Sequence, residues 1–276
     1  MMAAVTGLGV WGAEPIRFIS HRGESKDAPE NTLAAFRLAI ERKVAGFECD
    51  VYRTADNEIV CIHDGTTKRT TDGDLVVTNS TLAELRALDA GSKKGPQYKG
   101  ERIPTLSETL ALARDGYEIY VEVKSGTNIL PRLKHVVAAE PKATPERMLF
   151  ICFNTNVVKA LRQELPQYRT YWLTGFKRGP DGAIRPSAAS VIATLKATGA
   201  NGVDAQAFEM LDAAYVKAVK DAGFSFHVWT VNDAPKAAAC AAMGAETITT
   251  DCGALLAARL AAPAPVGTPR PNKGMD

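Results

Sequence analysis

Two histidines carry the chemistry, each closing a short apolar run. His21 ends Ile19-Ser20 and leads into Arg22-Gly23, and His63 ends Val60-Cys61-Ile62 and leads into Asp64. Between them stand Glu30-Asn31 and the pair Glu48-Cys49-Asp50. Farther along, Glu118, Tyr120, Glu122 and Lys124 alternate with Ile119, Val121 and Val123. On a strand, side chains two apart share a face, so Glu48 and Asp50 point the same way, roughly 6–7 Å apart along the chain. Acids converging in an interior repel one another and are expensive to bury unpaired. A divalent cation resolves this, and so do internal salt bridges to Arg and Lys; the spacing alone leaves both open. If an ion is held, all-oxygen ligands favour a hard one, Mg²⁺ or Ca²⁺, over zinc.

Neither His21 nor His63 has a cysteine or another histidine at metal-ligand spacing. Two imidazoles beside a cation and an arginine suit phosphoryl chemistry. One can take a proton from the nucleophile while the other protonates a leaving alkoxide. Phosphodiesters also need the charge on their non-bridging oxygens neutralised, which Arg22, Lys124 and an ion could supply. Either histidine alone reads as a hydrogen-bonded structural residue. Their joint placement with Arg22 and Asp64 is what points to a site. His135, on an expected helix, and His227, within an expected strand, keep the structural reading. Trp229 ends a strand, and Phe153, Trp172 and Phe208 fall at comparable positions. Each is either core or the apolar wall of a pocket.

The elements that must position these groups alternate. Strands are expected at 16–20 and 47–51, then at 117–124, 148–153, 168–173, 202–206, 224–230 and 246–250. Helices follow from apolar periodicity at 32–42, 105–115, 128–139, 156–164, 187–198, 211–222, 234–243 and 253–261. Asn31 or Thr32 is the expected N-cap of the first helix. A further extended run, 58–62, ends at His63. Residues 64–103 break the rhythm with a turn at Thr70–Asp74, a short helix at Leu82–Leu88 and a polar loop at Gly91–Gly100. They read as an insertion over one end of the fold. Eight βα units in about 250 residues make a (β/α)8 TIM barrel, with that small insertion after the second strand. An open doubly wound sheet would show longer, wholly apolar strands. The expected organisation is an N-terminal extension at 1–15, one catalytic barrel domain at 16–262 and a disordered Pro/Gly/Ala-rich tail at 263–276.

The bulk composition excludes several classes. The 276 residues carry 33 basic and 31 acidic side chains, a net charge of +2, which gives no footprint for nucleic acid. There is no apolar run of about 18 residues, so no spanning helix is expected. Five cysteines with no CxxC pair read as buried, reduced thiols. Met1–Trp11 is short and Gly-rich for a signal peptide and has no basic residue. That favours a cytoplasmic over a secreted or periplasmic location, although Gly12-Ala13-Glu14 could mimic a cleavage site.

Read in order, His21-Arg22-Gly23, Pro29-Glu30-Asn31-Thr32, Glu48-x-Asp50-Val51 and Val60-x-x-His63-Asp64 make a specific series. It continues with Arg69-x-Thr71, Ile103-Pro104-Thr105-Leu106, Val121-Glu122-Val123-Lys124, Trp229-Thr230-Val231-Asn232 and Thr250-Asp251. From about residue 16 to 260 the chain closely resembles the glycerophosphodiester phosphodiesterase family. The resemblance implies a TIM barrel with a small insertion, in agreement with the strand count. It implies catalytic histidines at His21 and His63 and phosphate-binding cations at Arg22 and Lys124. It places metal carboxylates at Glu48, Asp50 and Glu122, holding one divalent cation, Mg²⁺ or Ca²⁺. Glu30 would be a ligand or a support for the ligands, and Trp229 part of a substrate wall, with Phe153 a further candidate for the pocket.

The implied reaction turns a small glycerophosphodiester and water into an alcohol and sn-glycerol 3-phosphate. Either water or the substrate's own glycerol hydroxyl can attack first. A phospholipase-D-like or lysophospholipid-cleaving phosphodiesterase on the same site is the alternative, and it would favour an apolar ramp that the polar 64–103 segment does not offer. A barrel that binds without turnover would lack a histidine or a carboxylate, and none is missing. The polar loop at 91–100 bears on the leaving alcohol.

Overall fold

A computed structural model describes residues 16–261 except Phe208 and Met210. The N-terminal extension, the tail from 263 and the reading of Phe208 lie outside the described residues. The first half runs β1 (Arg17–Ser20), α1 (Leu33–Glu41), β2 (Gly46–Arg53), β3 (Ile59–Cys61), α2 (Leu82–Ala87), α3 (Leu106–Leu110), β4 (Glu118–Val123) and α4 (Leu130–Ala139). Next come β5 (Met148–Cys152), α5 (Thr155–Glu164), β6 (Arg169–Thr174), β7 (Lys177–Arg178), β8 (Ile184–Arg185) and α6 (Ala188–Thr198). The chain continues with β9 (Gly202–Gln206), α7 (Ala213–Asp221), β10 (Ser225–Trp229), α8 (Ala234–Ala242), β11 (Thr247–Thr250) and α9 (Gly253–Ala261).

Eight strands pair in parallel in the order β1, β2, β4, β5, β6, β9, β10, β11, and β11 pairs back to β1, opposite Arg17 at Thr247. This is the closed (β/α)8 barrel that the rhythm required. Strand alternation splits the side chains into two cores. Phe47, Cys49, Val51, Ile119, Val121, Phe150 and Cys152 point outward into the layer beneath the helices. Ile19, Tyr120, Leu149, Ile151, Tyr171 and Leu173 fill the interior. The stacking of Phe36 of α1 on Phe47, with centroids 4.4 Å apart, joins helix to strand in the outer layer. The five cysteines are free and buried.

The extended run at 58–62 is not a barrel strand. It forms β3, which pairs antiparallel to β2, with Val51 opposite Cys61 and Arg53 opposite Ile59. The eight-residue β2 outruns the barrel mouth and turns back through Asn57, whose φ is +65°. The return is what matters for His63: the Ile62 N–H reaches the Asp50 carbonyl at 3.0 Å, so the next residue is delivered beside the acids of β2.

The helix expected at 105–115 is shorter. Thr105 and Glu108 form a reciprocal capping box that starts α3, but Leu112 and Ala113 close tighter i→i+3 bonds before the turn at Gly116, where φ is +71°. Among the glycines near 179–182, Gly179 and Gly182 turn the small β7–β8 hairpin, which the alternation pattern did not reveal. The insertion has its own core of Val60, Ile62, Val77, Leu85, Ala90 and Ile103. Its polar loop is wound on the Asp89 carboxylate, which accepts N–H bonds from Gly91, Ser92 and Gly100. Lys94 Nζ donates to the Ser25 and Lys26 carbonyls, and the Tyr98 hydroxyl to the Asp27 carbonyl, bolting the loop to the β1–α1 connection.

Candidate active site

The residues singled out above converge on the C-terminal ends of the barrel strands, the face where barrel loops can build a site. Glu48 and Asp50 on β2 and Glu122 on β4 are buried, with one carboxylate oxygen from each lying within 4.8 Å of the others. Each acid has an oxygen held by its surroundings. Glu48 Oε2 accepts the backbone N–H of Arg22 at 2.9 Å, Asp50 Oδ2 accepts Asn31 Nδ2–H at 2.8 Å, and Glu122 Oε1 lies 2.8 Å from Lys124 Nζ. Glu48 Oε1 and Asp50 Oδ1 are buried and accept no hydrogen bond.

The electrostatics follow from that crowding. Burial, then Asp50 and Glu122, push the Glu48 carboxyl well above its ordinary range. Burial and Asp50 push Glu122 up to about 7 against the pull of Lys124. Burial also works against Asp50, but Arg22 and Lys124 outweigh it and hold this carboxyl low. Three acids thus share two adjacent cations.

Arg22 is placed by strain and packing. Its φ is +56°, a left-handed conformation that costs a non-glycine residue about 1–2 kcal/mol. That twist aims its N–H at Glu48 while its Nε lies 3.3 Å from Asp50 and its Nη1 2.9 Å from Glu30. Gly23 follows with φ +79°, and a Cβ there would meet the Ala35 backbone at 2.6 Å. Glu30 is not among the clustered acids. It bridges Arg22 to Arg69, which binds it at 2.6 and 2.9 Å, and Arg69 in turn holds Asp64 at 2.6 Å. Burial lifts the Glu30 carboxyl, but Arg69 and Arg22 bring it below its usual range.

His21 follows β1 and His63 follows β3, and both rings line one cavity of about 180 Å³ with Arg22, Glu48, Glu122, Lys124 and Trp229. Each Nδ1 lies 2.6 Å from its own carboxylate, Asp251 for His21 and Asp64 for His63. A neutral imidazole that donates from Nδ1 keeps Nε2 free as an acceptor. Asp251 is itself gripped by Asn232 Nδ2 at 2.5 Å and Ser25 Oγ at 3.2 Å. Burial raises the Asp251 carboxyl, but His21 and these donors win and bring it to about 2. Arg69, with His63, brings Asp64 to about 2.

The supporting residues were visible in the motifs but not their tasks. Thr32 takes the N-cap of α1, accepting the Ala35 N–H. Asn31 is therefore free to clamp Asp50 from both sides, its Oδ1 accepting the Asp50 N–H at 3.1 Å. Phe153 is 47% exposed at the mouth and meets Trp229 edge-on at 5.6 Å. Trp172 sits apart: its neighbours Tyr171 and Leu173 point inward while Trp172 packs against the outer core. His135 is exposed on α4. His227 is buried inside the barrel, and burial lowers it to about 3. Glu118 lies two steps of the alternation below Glu122, beyond Tyr120, paired with Arg17 and Arg169. Among the acids lining the pocket, Asp204 of β9 went unnoticed in the sequence. No apolar-polar signal separates it from an ordinary strand-end acid.

The three-carboxylate cluster fits a divalent cation. Its donors are hard oxygens, two of them buried without a hydrogen bond, and two of its three acids resist ionising unless more positive charge is supplied.

Barrel and site together define a class, the TIM-barrel enzymes with acid and imidazole groups at the C-terminal mouth. The particular family follows from comparison with known proteins. The model of the glycerophosphoryl diester phosphodiesterase family matches residues 21–253. A glycerophosphodiester phosphodiesterase of Caldanaerobacter subterraneus is 40% identical over 154 residues, 55% of this chain and 63% of that protein. A putative glycerophosphodiester phosphodiesterase of Bacillus subtilis is 33% identical over 236 residues, 84% of this chain and 93% of that protein. An Oleispira antarctica phosphodiesterase, solved with the product sn-glycerol 3-phosphate, superposes with a TM-score of 0.80 at 28% identity, covering 89% of this chain and 97% of that one. The chain belongs to the glycerophosphoryl diester phosphodiesterase family and is a phosphodiesterase of that kind.

Proposed function

We propose that the protein hydrolyses small glycerophosphodiesters to an alcohol and sn-glycerol 3-phosphate, with His21 and His63 as the proton-transfer pair and one divalent cation, Mg²⁺ or Ca²⁺, on Glu48, Asp50 and Glu122. The observation that carries this reading is the shared cavity: two carboxylate-oriented imidazoles line it together with Glu48 and Glu122 of the three-carboxylate cluster. When bound, the ion supplies Lewis-acid neutralisation of charge on the phosphoryl oxygens.

The chain's own groups do the rest. Arg22 and Lys124 add positive charge beside the same oxygens, and Lys124 holds Glu122 in place meanwhile. One imidazole accepts the proton of the attacking hydroxyl at Nε2, and the other delivers a proton to the departing alkoxide. Asp251 and Asp64 keep Nδ1 protonated and stabilise the imidazolium form, which the accepting ring gains and the delivering ring gives up. Glu30 fixes Arg22 against Arg69. Trp229 and Phe153 give one wall an apolar surface that a head group's carbons can lie on.

Turnover of glycerophosphocholine, glycerophosphoethanolamine and glycerophosphoglycerol, followed by release of glycerol 3-phosphate with Mg²⁺, Ca²⁺ or EDTA, tests the proposal. The expected result is turnover that EDTA abolishes and either ion restores. Turnover indifferent to EDTA would remove the cation from the reading. No turnover on any of the three by folded, ion-supplemented protein would move the substrate to lysophospholipids.

A further inference from the structure

The cavity's lining is of two kinds. One is charged: Glu48, Glu122, Arg22, Lys124 and the two imidazoles. Across the barrel from β2, strand β9 brings Asp204 to the same cavity, beside Leu173 and His227 in register. Asp204 is 1% exposed, and both of its carboxylate oxygens are buried without a hydrogen-bond partner. The Thr249 hydroxyl on β11, which also lines the cavity, is likewise buried and unpartnered. No described cation pairs with Asp204, and the charge it feels is that of Glu122, of the same sign. Burial lifts its carboxyl to about 8. An unsatisfied buried carboxyl costs stability, and a Leu like its neighbour Leu173 would fill the place without that cost. Leu173, in register with Asp204 on β6, and Trp229, whose Nε1–H bonds the Asp204 carbonyl, supply apolar surface beside it. A buried carboxyl, which when protonated offers one O–H donor and one carbonyl acceptor, beside apolar side chains suits a short polyol, whose hydroxyls both donate and accept and whose C–H faces lie on Leu173 and Trp229.

We propose that Asp204, with Thr249, is the specificity-determining floor of the cavity, recognising the free hydroxyls of the glycerol half of the substrate. The inference rests on the glycerophosphodiester reading above and extends it to a residue outside the catalytic set. A hydroxyl-binding floor makes a testable distinction, because a site built to bond a hydroxyl rejects the analogue that lacks it far more strongly than an apolar pocket can.

The test measures binding of sn-glycerol 3-phosphate, n-propyl phosphate, phosphoethanolamine and inorganic phosphate by calorimetry, with Mg²⁺ or Ca²⁺ present. The proteins are the wild type, Asp204→Leu, Asp204→Asn and Thr249→Val, with glycerophosphodiester turnover measured beside them. The wild type should prefer glycerol 3-phosphate over propyl phosphate by at least about tenfold. Asp204→Leu should erase that preference while inorganic phosphate binding stays within about twofold, and Asp204→Asn and Thr249→Val should reduce it partly. Thermal melting should show Asp204→Leu folded and at least as stable as the wild type, which separates lost recognition from lost structure. Wild-type turnover with an unchanged preference in Asp204→Leu overturns the assignment and leaves the reaction standing. A wild type that prefers phosphoethanolamine makes Asp204 an ammonium site instead and overturns it too. No turnover of any glycerophosphodiester sinks the reaction and the assignment with it.

Discussion

Glu118 and Glu122 stand four residues apart on β4, face the same way and are equally buried, each 8% exposed. Their surroundings differ in one respect, the count of charges. At the lower end of the barrel Glu118 lies between two guanidiniums, Arg17 at 2.5 Å and Arg169 at 2.6 Å, so each oxygen has its own cation. At the mouth, Glu122 shares Lys124 with Asp50, and Asp50 and Glu48 share Arg22. The lower end is closed by ion pairing. The upper end is left short of positive charge, with oxygens that nothing bonds. The same side chain on the same strand is a plug in one place and a candidate ligand in the other. What decides is the balance of the neighbours, because a buried carboxylate is stable only to the extent that it is paired.

The largest expected effect is at the mouth. His21→Ala and His63→Ala should each lower kcat by about 10²–10⁴-fold with little change in melting temperature, since a positioned acid or base contributes on that scale. Asp251→Asn and Asp64→Asn should lower kcat less, because they disturb only the orientation and tautomer of the rings. A stopped assay on glycerophosphocholine with parallel melting curves checks both pairs.

The contrast between the two glutamates is broken next. Glu118→Gln should destabilise by about 1–3 kcal/mol, below the about 3–5 kcal/mol of a fully buried pair because Arg17 and Arg169 are partly exposed, while kcat holds. Glu122→Gln should do the reverse: near-normal or raised stability without metal, and activity lost. Chemical denaturation and turnover, run on both variants, decide it.

A pH experiment sharpens the comparison. A carboxyl whose folded value is raised, as Glu122 is to about 7, favours the folded state in acid. The metal-free protein should therefore lose stability as pH climbs from about 4.5 through 7. Mg²⁺ or Ca²⁺ should offset that loss, more at pH 8 than at pH 5.5, because ligands must be ionised to bind. Glu122→Gln should flatten both curves in calorimetry. The smallest effect belongs to the wall. Phe153→Ala, half exposed, should raise KM a few-fold with kcat nearly unchanged, and Trp229→Ala should do more, since it also loses its Nε1–H bond to the Asp204 carbonyl.

Much of this was legible along the chain because the signals are local. Glu48-x-Asp50 and Glu118-x-Tyr120-x-Glu122 share faces by strand geometry alone, and the outward Ile119, Val121 and Val123 announce the helix-covered side. The βα rhythm from β4 onward gave the barrel. The extended run before His63 showed only its strand character, since nothing in Ile59-Val60-Cys61 says which neighbour it pairs with or in which direction. The cap of α1 was open between Asn31 and Thr32, and only the loop geometry gave it to Thr32 and turned Asn31 onto Asp50. Asp204 looked like any acid in a strand, because being unpartnered is a property of what surrounds a residue.

The sequence by itself determined the barrel, the pair of imidazoles, the two cations and the three acids, since residue type and period are one-dimensional. The tertiary structure decided the rest: the return of β3 that brings His63 to the mouth, the carboxylate behind each histidine, the chain from Arg22 through Glu30 to Arg69, and which glutamate of β4 is paired. Those are sums of distances across strands far apart in the chain, and the free energy of a buried charge depends on that sum rather than on its own identity.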